Sequence, residues 1–496
     1  MRAAAVLSLC LQLIFFAALI VAGWLAARGS LPADRRHWAA LAGFTLGSGL
    51  FFFLALFTLL LAAKVEWVQP ATFALPCTLT LAISSRLAMR SWSPVTRAEG
   101  IALSVSVGGT ALALVAWRIW PVASIWHDAI ELIGVGEILA ANQIFDGHEL
   151  VSGRPLYYGV FHAMSSRLGM SYFWGLPVTV SVNACVFFIA AANEATMRLG
   201  LTQKKRVLLI ASCVAFALSS DMMRGQIVLH HVHFITANAL MLFSTLALFA
   251  LWDSQESGAI LAVSCAAPLG FMRVEGCIML LLQVFLLLVY LRPSPRAFRA
   301  ILTIAGLSVA AVGFLVYTLL PPEAGTLNTH FLFGVLGTGT IFAAAAPRRL
   351  VVWLFHDNGP RLASAILLVG GVCVLAGAVL DGEKMWPSLF AVAMNFVKWG
   401  LWGSIWWVIF LVAAFISALN RRSFKGARWM ADSVLFYFLA TIVVGYVRDG
   451  SYRIGAMDSA NRMSFHIIPT TLLLILCWVA WIGRDDTTRH DLESSQ

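Results

Sequence analysis

The chain has 496 residues, of which 60% are hydrophobic and only 12% are charged, and its formal net charge is +10. Ordinary soluble domains contain about a quarter charged residues, so this composition excludes a soluble protein and requires that most of the chain lies in lipid. The basic residues are scattered among the connections between apolar runs, which excludes a concentrated nucleic-acid-binding patch and favours positive-inside topology. The sequence therefore predicts an all-α polytopic membrane protein with roughly 13–15 transmembrane helices.

The first 120 residues contain four apolar runs, which predict spans near 6–27, 41–63, 71–89 and 101–120. Arginines follow the first and the third run, and cytoplasmic loops are enriched in lysine and arginine. These two loops are therefore predicted to be cytoplasmic, and the N-terminus is predicted to lie outside. Residues 1–120 would form an N-terminal four-span bundle, and the chain would emerge on the outer face at Pro121.

Residues 121–175 are predicted to form an outer loop that carries interfacial helices. Asp128 and Glu131 open an apparent helix, and their spacing of three residues places both carboxylates near one helical face. The downstream sequence is Ser152-Gly153-Arg154-Pro155-Leu156-Tyr157-Tyr158, and an amphipathic stretch then indicates a helix that lies in the interface rather than crossing. From the residues alone, the two carboxylates are either solvated loop charges or groups with a chemical role at the membrane surface.

The middle of the chain is predicted to span the membrane near 176–197, 206–220 and 232–252. The chain must then cross an even number of times between the predicted cytoplasmic turn at 252–258 and the basic loop at 292–299, so we predict two short helices, about 259–270 and 273–290. They would meet near Arg273 and Glu275, and broken helices at membrane depth occur only where they face protein or a cavity. Because both charges are costly against lipid, they are expected to form either a structural ion pair or part of a substrate site.

Further spans are predicted near 300–320, 328–346, 362–380, 404–419, 431–448 and 465–482. They place two loops outside, at 381–404 and 448–464. The second loop contradicts the rule that positive charge stays inside, because it carries Arg448, Arg453 and Arg462. Two explanations are open, which are pairing with acidic residues of the same loop and binding of a phosphate, whose oxygens guanidinium groups bind bidentately.

The sequence contains two sets of possible metal ligands, histidines and cysteines, and the spacing within each set argues against a metal site. His230, His231 and His233 lie at the outer end of a predicted span, but their spacing does not place them on one helical face, which favours interface packing or contact with an acceptor. The eight cysteines all fall in or beside apolar runs without metal-ligand spacing. We therefore predict no metal site, and the sequence leaves any cofactor undetermined.

Three segments resemble the GT-C membrane glycosyltransferases, in particular the aminoarabinose-transferase and protein O-mannosyltransferase type. The first is the carboxylate-bearing loop with Gly153-Arg154-Pro155-Leu156-Tyr157-Tyr158. The second, Phe271-Met272-Arg273-Val274-Glu275-Gly276, is similar to a TRPEG signature with Val274 in place of proline. The third runs from Asn461 to Pro469 and is similar to an RY...P motif with Met463 in place of tyrosine. The resemblance covers about residues 121–290 and 448–482, and three of the four N-terminal spans are extra to it.

The resemblance implies a GT-C-like transmembrane core over 176–482 and a role for each matching residue. Asp128 would be the general base that deprotonates an acceptor hydroxyl, and Glu131 would hold the acceptor or raise the pKa of that base. The substrate-binding residues would be Arg154, Tyr157, Tyr158, His231, Arg273 and Glu275. The donor phosphate would be bound by Arg448, Arg453 and Arg462.

The activity implied is that of an inverting glycosyltransferase, since one base suits a single displacement. It would move a sugar from a polyprenyl-phosphate donor to a cell-envelope glycan, lipid or protein at the outer face of the inner membrane, with membrane lipid around it and the tail 483–496 in the cytoplasm. The alternative is a transporter or flippase for a lipid-linked or anionic solute, in which Arg273 would mark the substrate path. A glycan polymerase or ligase would need a longer late outer loop than 381–404.

Overall fold

The computed structural model describes residues 2–30, 94–119, 175–229, 231–272, 274–319, 326–402, 425–447, 452–455 and 459–482. These residues are almost entirely helical and contain no strand, which confirms the all-α prediction for the described part of the chain.

The first helices in chain order are α1 (Arg2–Ser30), α2 (Arg97–Ile119), α3 (Gly175–Arg198), α4 (Gln203–Ser219), α5 (Asp221–Leu229), α6 (His231–Asp253), α7 (Glu256–Ala266), α8 (Leu269–Met272) and α9 (Val274–Leu291). They are followed by α10 (Pro295–Leu319), α11 (Thr326–Ala344), α12 (Arg348–Val351), the π-helix π1 (Val352–Asp357), α13 (Gly359–Leu380), α14 (Gly382–Met394), the π-helix π2 (Asn395–Trp399), α15 (Lys425–Val447) and α16 (Ser459–Ile482).

Five helices of the described chain are long and apolar enough to span a membrane, in the segments Thr236–Asp253, Pro295–Gly313, Arg361–Leu380, Gly426–Val444 and Ala460–Ile482. A sixth results if two helical segments that are bent by 108° form one span, Phe331–Ala344 and Arg349–Phe355. The chain therefore has the character of a multi-pass membrane protein. The total of 13–15 spans stays a prediction, because several predicted spans lie outside the described residues, at 41–63, 71–89 and 404–419.

One predicted element is wrong. Residues 381–404 were expected to be a loop, but α14 and π2 make most of this segment helical. The charged residues at its beginning suggest a loop, yet the residues that follow have buried side chains at helical spacing, Met385, Ser388 and Val392. That spacing of three and four residues is the pattern of a helix with one buried face.

Helix α6 lies at the centre of the bundle and packs against α3, α7, α15 and α16. Almost nine-tenths of its spanning segment is buried, which is typical of a helix surrounded by other helices. Ser244 of α6 and Thr470 of α16 share a hydrogen bond of 2.7 Å inside the core. Hydroxyl pairs of this kind join transmembrane helices because no water is available to satisfy them.

Contacts between helix ends show which connections share one side of the bundle. Arg198 at the end of α3 forms an ion pair of 3.2 Å with Asp253 at the end of α6. Ser294, which follows α9, donates a hydrogen bond of 2.7 Å to Glu256 at the start of α7. Tyr290 near the end of α9 donates to Asp432 in α15. We name this side the Arg198 end, and the connections that join α6 to α7 and α9 to α10 both lie there.

The opposite side is named the Asn461 end, and it comprises residues 220–222, 395–402, 452–455 and 459–466. The hydrogen bonds described below join these segments to one another. The two loops predicted to share the outer side, 381–404 and 448–464, meet at this end, as far as the structure describes them. The two segments therefore lie on one side of the bundle, and the assignment of that side to the outer face stays a prediction.

The prediction of two short helices before residue 290 is also confirmed, since α7 and α9 form a hairpin with the one-turn helix α8 at its tip. The tip is closely packed, because a Cβ atom at Gly276 would overlap the carbonyl oxygen of Leu269. A Cβ atom at Gly270 would lie 2.7 Å from Sγ of Cys277. Only glycine permits the one-turn helix to approach α9 so closely.

Helix α1 is tied to α2 by a buried ion pair. Arg28 Nε lies 3.4 Å from Oε1 of Glu99, and both side chains are almost completely buried. Arg28 also donates a hydrogen bond of 3.0 Å to the carbonyl oxygen of Pro94. Glu99 and Thr96 exchange hydrogen bonds with each other's backbone amides in a capping box at the start of α2. Helix α1 also packs against α7, so it contacts the bundle core.

Candidate functional site

Four residues of the predicted site lie in the described part of the chain, which are His231, Glu275, Arg453 and Arg462. The remaining predicted site residues lie outside it, namely Asp128, Glu131, Arg154, Tyr157, Tyr158, Arg273 and Arg448. The predicted base and the loop around it therefore stay predictions. The two described arginines lie at the Asn461 end, and their surroundings define the candidate site.

Asn461, in the first turn of α16, is the central residue of this end. Its side chain is buried, and its Oδ1 accepts a hydrogen bond from the indole Nε1 of Trp402. Its Nδ2 donates a hydrogen bond of 3.0 Å to the carbonyl oxygen of Gly400. The oxygen and the nitrogen of this buried side-chain amide thus both bind residues 400–402 and hold them against α16. A Cβ atom at Gly400 would lie 2.6 Å from Oδ1 of Asn461, so glycine is required for this approach.

The same turn also binds the start of α5. The carbonyl oxygen of Leu401 accepts hydrogen bonds of 3.2 Å from the backbone amide of Met222 and from the hydroxyl of Ser220. Leu401 has a φ of +60°, which an L-residue adopts at a cost of about 1–2 kcal/mol. Such backbone strain persists only where surrounding bonds enforce it. The turn therefore fixes the relative positions of α5 and α16 at this end.

Asn395, the first residue of π2, holds the segment 452–455 in the same manner. Its Nδ2 donates a hydrogen bond of 2.9 Å to the carbonyl oxygen of Arg453, and its Oδ1 accepts one of 2.6 Å from the amide of Gly455. Ser388 of α14 accepts a hydrogen bond of 3.1 Å from the amide of Tyr452. Asn395 begins a π-helical turn, and because such turns are frequent at functional sites, its position supports the choice of this end as the candidate site.

The two amides therefore position the backbone that carries the two predicted phosphate-binding arginines. Asn395 binds the peptide groups of Arg453 and Gly455, and Asn461 directly precedes Arg462 in α16. The Arg453 side chain is exposed, and that of Arg462 is half-buried. Each guanidinium group carries a positive charge and several hydrogen-bond donors, so these two side chains bring positive charge to this end of the bundle.

A buried tyrosine and histidine lie one turn deeper in α15 and α16. The hydroxyl of Tyr437 donates a hydrogen bond of 2.6 Å to the carbonyl oxygen of Met463 and lies 2.9 Å from Nδ1 of His466. A tyrosine hydroxyl has one hydrogen, so Nδ1 of His466 is the donor in the second bond. This network holds the start of α16, which carries Arg462, against α15. His466 lies within the motif of residues 461–469, but the sequence does not indicate that Tyr437, 29 residues earlier, is the partner of His466.

The other two described site residues lie at the start of their helices. His231 is the first residue of α6. Glu275 is half-buried in the first turn of α9, where a carboxylate is favoured by the helix dipole. Helix α9 has 18 residues, so at 1.5 Å per residue Glu275 lies about 25 Å along the axis from the Arg198 end. Both residues therefore lie toward the side of the bundle that carries the Asn461 end.

Metal ligation finds no support in the described residues, where no group of three His, Cys, Asp or Glu side chains could hold an ion. No protein family model, no curated protein and no solved structure matches the chain. The functional interpretation therefore depends on the residues and their geometry.

Proposed function

We propose that the chain is an inverting glycosyltransferase that takes a sugar from a polyprenyl-phosphate donor and transfers it to a cell-envelope acceptor at the membrane surface. The observation that carries this proposal is the fixed placement of Arg453 and Arg462 by Asn395 and Asn461 at one end of the bundle. A lipid-linked phosphate lies at the membrane surface, where helix ends can reach it. Guanidinium groups held there would bind its oxygens and stabilise the charge of the leaving phosphate.

The base that this reaction requires is assigned by resemblance to Asp128, with Glu131 beside it. The acceptor hydroxyl must lose its proton as its oxygen attacks the sugar carbon, and the bond from that carbon to the phosphate oxygen breaks in the same step. The proton passes to the carboxylate, and the negative charge passes to the phosphate. One carboxylate and one group of cations are sufficient for this displacement, and no metal ligand set is needed for the proposal.

A transporter or flippase is the second candidate, and one observation favours it. Asn238 and Thr245 are buried on the same face of α6, two turns apart, and the side-chain amide of Asn238 and the hydroxyl of Thr245 have no hydrogen-bond partner in the structure. Polar groups without partners in a membrane core are costly and often mark a path for a solute or for water. The proposal of a transferase is preferred, because the buried polar side chains of α6 are uncharged, whereas an anionic solute would require positive charge there.

The test compares wild-type protein with Asp128→Asn in nanodiscs that contain radiolabelled polyprenyl-phosphate sugars and extracted cell-envelope acceptors. Transfer of label by the wild type and its loss in Asp128→Asn would support the proposal. An unchanged rate in Asp128→Asn would remove that residue from the role of base. Movement of a lipid-linked sugar across proteoliposomes, without transfer of label to any acceptor, would favour the transporter instead.

A further inference from the structure

The surface of α13 identifies one part of the molecule that faces lipid. Only about a tenth of its spanning segment is buried. From residue 365 onward the exposed side chains are apolar, and they continue to the last residue of the helix, where Leu380 is 85% exposed. A helix of this length and composition can expose such a surface only to hydrocarbon. The end of α13 therefore marks where the lipid-facing surface approaches the membrane interface.

Helix α14 begins only two residues later and presents aromatic rings on its exposed face. Trp386 and Phe390 are each 58% exposed and lie four residues apart, which places them on one side of α14. Trp399 of π2 is also exposed. Glu383 lies on the same side of α14 one turn before Trp386, in the first turn, where a carboxylate is stabilised by the helix dipole. A polar start followed by exposed rings is typical of a helix that lies at a membrane interface.

The other side of the same segment is directed toward the bundle. Ser388 and Asn395 bind the backbone of residues 452–455. Phe396 is buried and packs edge-to-face against Phe438 of α15, with ring centroids 5.5 Å apart. The two sides of the segment therefore differ. The inner side binds the backbone of the candidate site, and the outer side presents aromatic rings.

We infer that the exposed aromatic face of α14, formed by Trp386 and Phe390, binds the lipids of the leaflet at the Asn461 end. The lipid is identified as the occupant because this face continues the lipid-facing surface of α13 across a turn of one residue, Asp381. Tryptophan is enriched at membrane interfaces, where its ring lies among acyl chains and its indole N–H reaches polar groups. Because the inner side of the same segment binds residues 452–455, the lipid surface and the backbone of Arg453 are connected through one short helix. This inference does not depend on the proposed enzymatic activity.

The test uses a photoreactive amino acid at two phenylalanines of the same segment. Phe390→p-benzoylphenylalanine and Phe396→p-benzoylphenylalanine are prepared separately, placed in nanodiscs of palmitoyl-oleoyl phosphatidylethanolamine and phosphatidylglycerol, and irradiated. Mass spectrometry of the intact protein measures the fraction that carries a lipid. We expect this fraction to be several-fold larger at position 390 than at position 396. Adducts from position 390 that join it only to peptides of the chain, or equal lipid fractions at both positions, would overturn the inference.

A second measurement needs no substitution, which matters because Phe396 is buried and its replacement could unfold the chain. The wild-type protein is irradiated in nanodiscs whose lipids carry a diazirine in the acyl chain, and the labelled residues are identified by peptide mapping. Label is expected on Trp386 and Phe390 and is expected to be missing from Met385, Ser388 and Phe396. Label on the second group at the level of the first would contradict the proposed orientation.

Discussion

At the Arg198 end, charged side chains connect the helices to one another. Arg198 pairs with Asp253 and with Glu194, and its guanidinium lies 4.6 Å from the ring centroid of Phe249. Glu256 binds Ser294 at the same end. At the Asn461 end, the hydrogen bonds described above join neutral groups, namely the amides of Asn395 and Asn461, serine hydroxyls, an indole and backbone carbonyls.

The difference supports the proposal that the charged side chains of the Arg198 end stabilise the fold, whereas the arginines of the Asn461 end bind a ligand. An ion pair between helices neutralises the charges that form it, so Arg198 contributes to the stability of the fold. Neutral amides hold the backbone at the Asn461 end without using guanidinium groups for those bonds. Substitution of an arginine should therefore reduce stability at the first end, and at the second end it should reduce ligand binding more than stability.

The largest effect is expected at the tip of the hairpin, which lies toward the Asn461 end and is closely packed. Gly276→Ala would force a Cβ atom into the carbonyl oxygen of Leu269, and overpacking against backbone lies at the upper end of about 1–3 kcal/mol. Gly334→Ala in α11 is the control, because no atom lies within 4 Å of its Cβ position. Thermal unfolding in detergent should show a large loss for Gly276→Ala and none for Gly334→Ala. Equal stability of the two variants would show that the tip is more open than described.

The next effect concerns the ion pairs of the Arg198 end. Arg198→Ala leaves the partly buried Asp253 without its partner and removes the contact with Phe249, which should reduce stability by about 2 kcal/mol. The matched control is Arg224→Ala, because Arg224 forms an exposed ion pair with Asp221, and pairs of this kind contribute about 0–1 kcal/mol. Denaturant titration of both variants measures the difference. If Arg224→Ala is as destabilising as Arg198→Ala, burial does not determine the strength of these pairs.

A somewhat smaller effect is expected from the central amide of the Asn461 end. Asn461→Ala leaves the Nε1 of Trp402 and the carbonyl oxygen of Gly400 without their partner, at a cost of about 1–2 kcal/mol. Trp402→Phe removes the other half of one of these bonds. The loss of unfolding free energy in the double variant should therefore be smaller than the sum of the losses in the two single variants. Strict additivity in thermal unfolding would show that the two side chains do not interact.

The smallest effect on stability is expected at Asn395, where the change should be local. Asn395→Ala removes two hydrogen bonds to the segment 452–455, at about 1 kcal/mol in total. Hydrogen exchange at the amide of Gly455 should become faster, while exchange in the core of α6 should stay unchanged. A uniform increase over the whole chain would indicate global destabilisation and would remove the assigned role of Asn395 as a positioning residue.

Most spanning helices and the hairpin of α7 and α9 could be predicted from the sequence, because apolar length and the distribution of basic residues are local properties. The segment 381–404 could not, since Asp381, Glu383 and Lys384 give its beginning the composition of a loop. Its helical periodicity becomes visible only when Met385, Ser388 and Val392 are considered together. A short amphipathic helix gives a weaker signal than a run of twenty apolar residues.

The candidate site could be predicted only where charge marks it. Arg453 and Arg462 were predicted because positive charge in an outer loop is unexpected. Asn395 and Asn461 carry no charge, and their partners are about 60 residues away along the chain. An amide that binds distant backbone has no local pattern, so only the folded chain brings such groups together. The role of Asp128 as a base is implied by resemblance alone, and the transfer measurement tests it.

The contrast between the two ends is tested most directly by binding of undecaprenyl phosphate, with wild-type protein, Arg462→Ala and Arg198→Ala compared by native mass spectrometry and by thermal unfolding of the same samples. We expect Arg462→Ala to weaken binding at least several-fold and to lower the unfolding temperature less than Arg198→Ala does, because the neutral amides still hold α16. Arg198→Ala should lower the unfolding temperature and keep the affinity. Equal affinity of Arg462→Ala and wild type, or loss of affinity only in Arg198→Ala, would contradict the assignment of the Asn461 end as the phosphate-binding end.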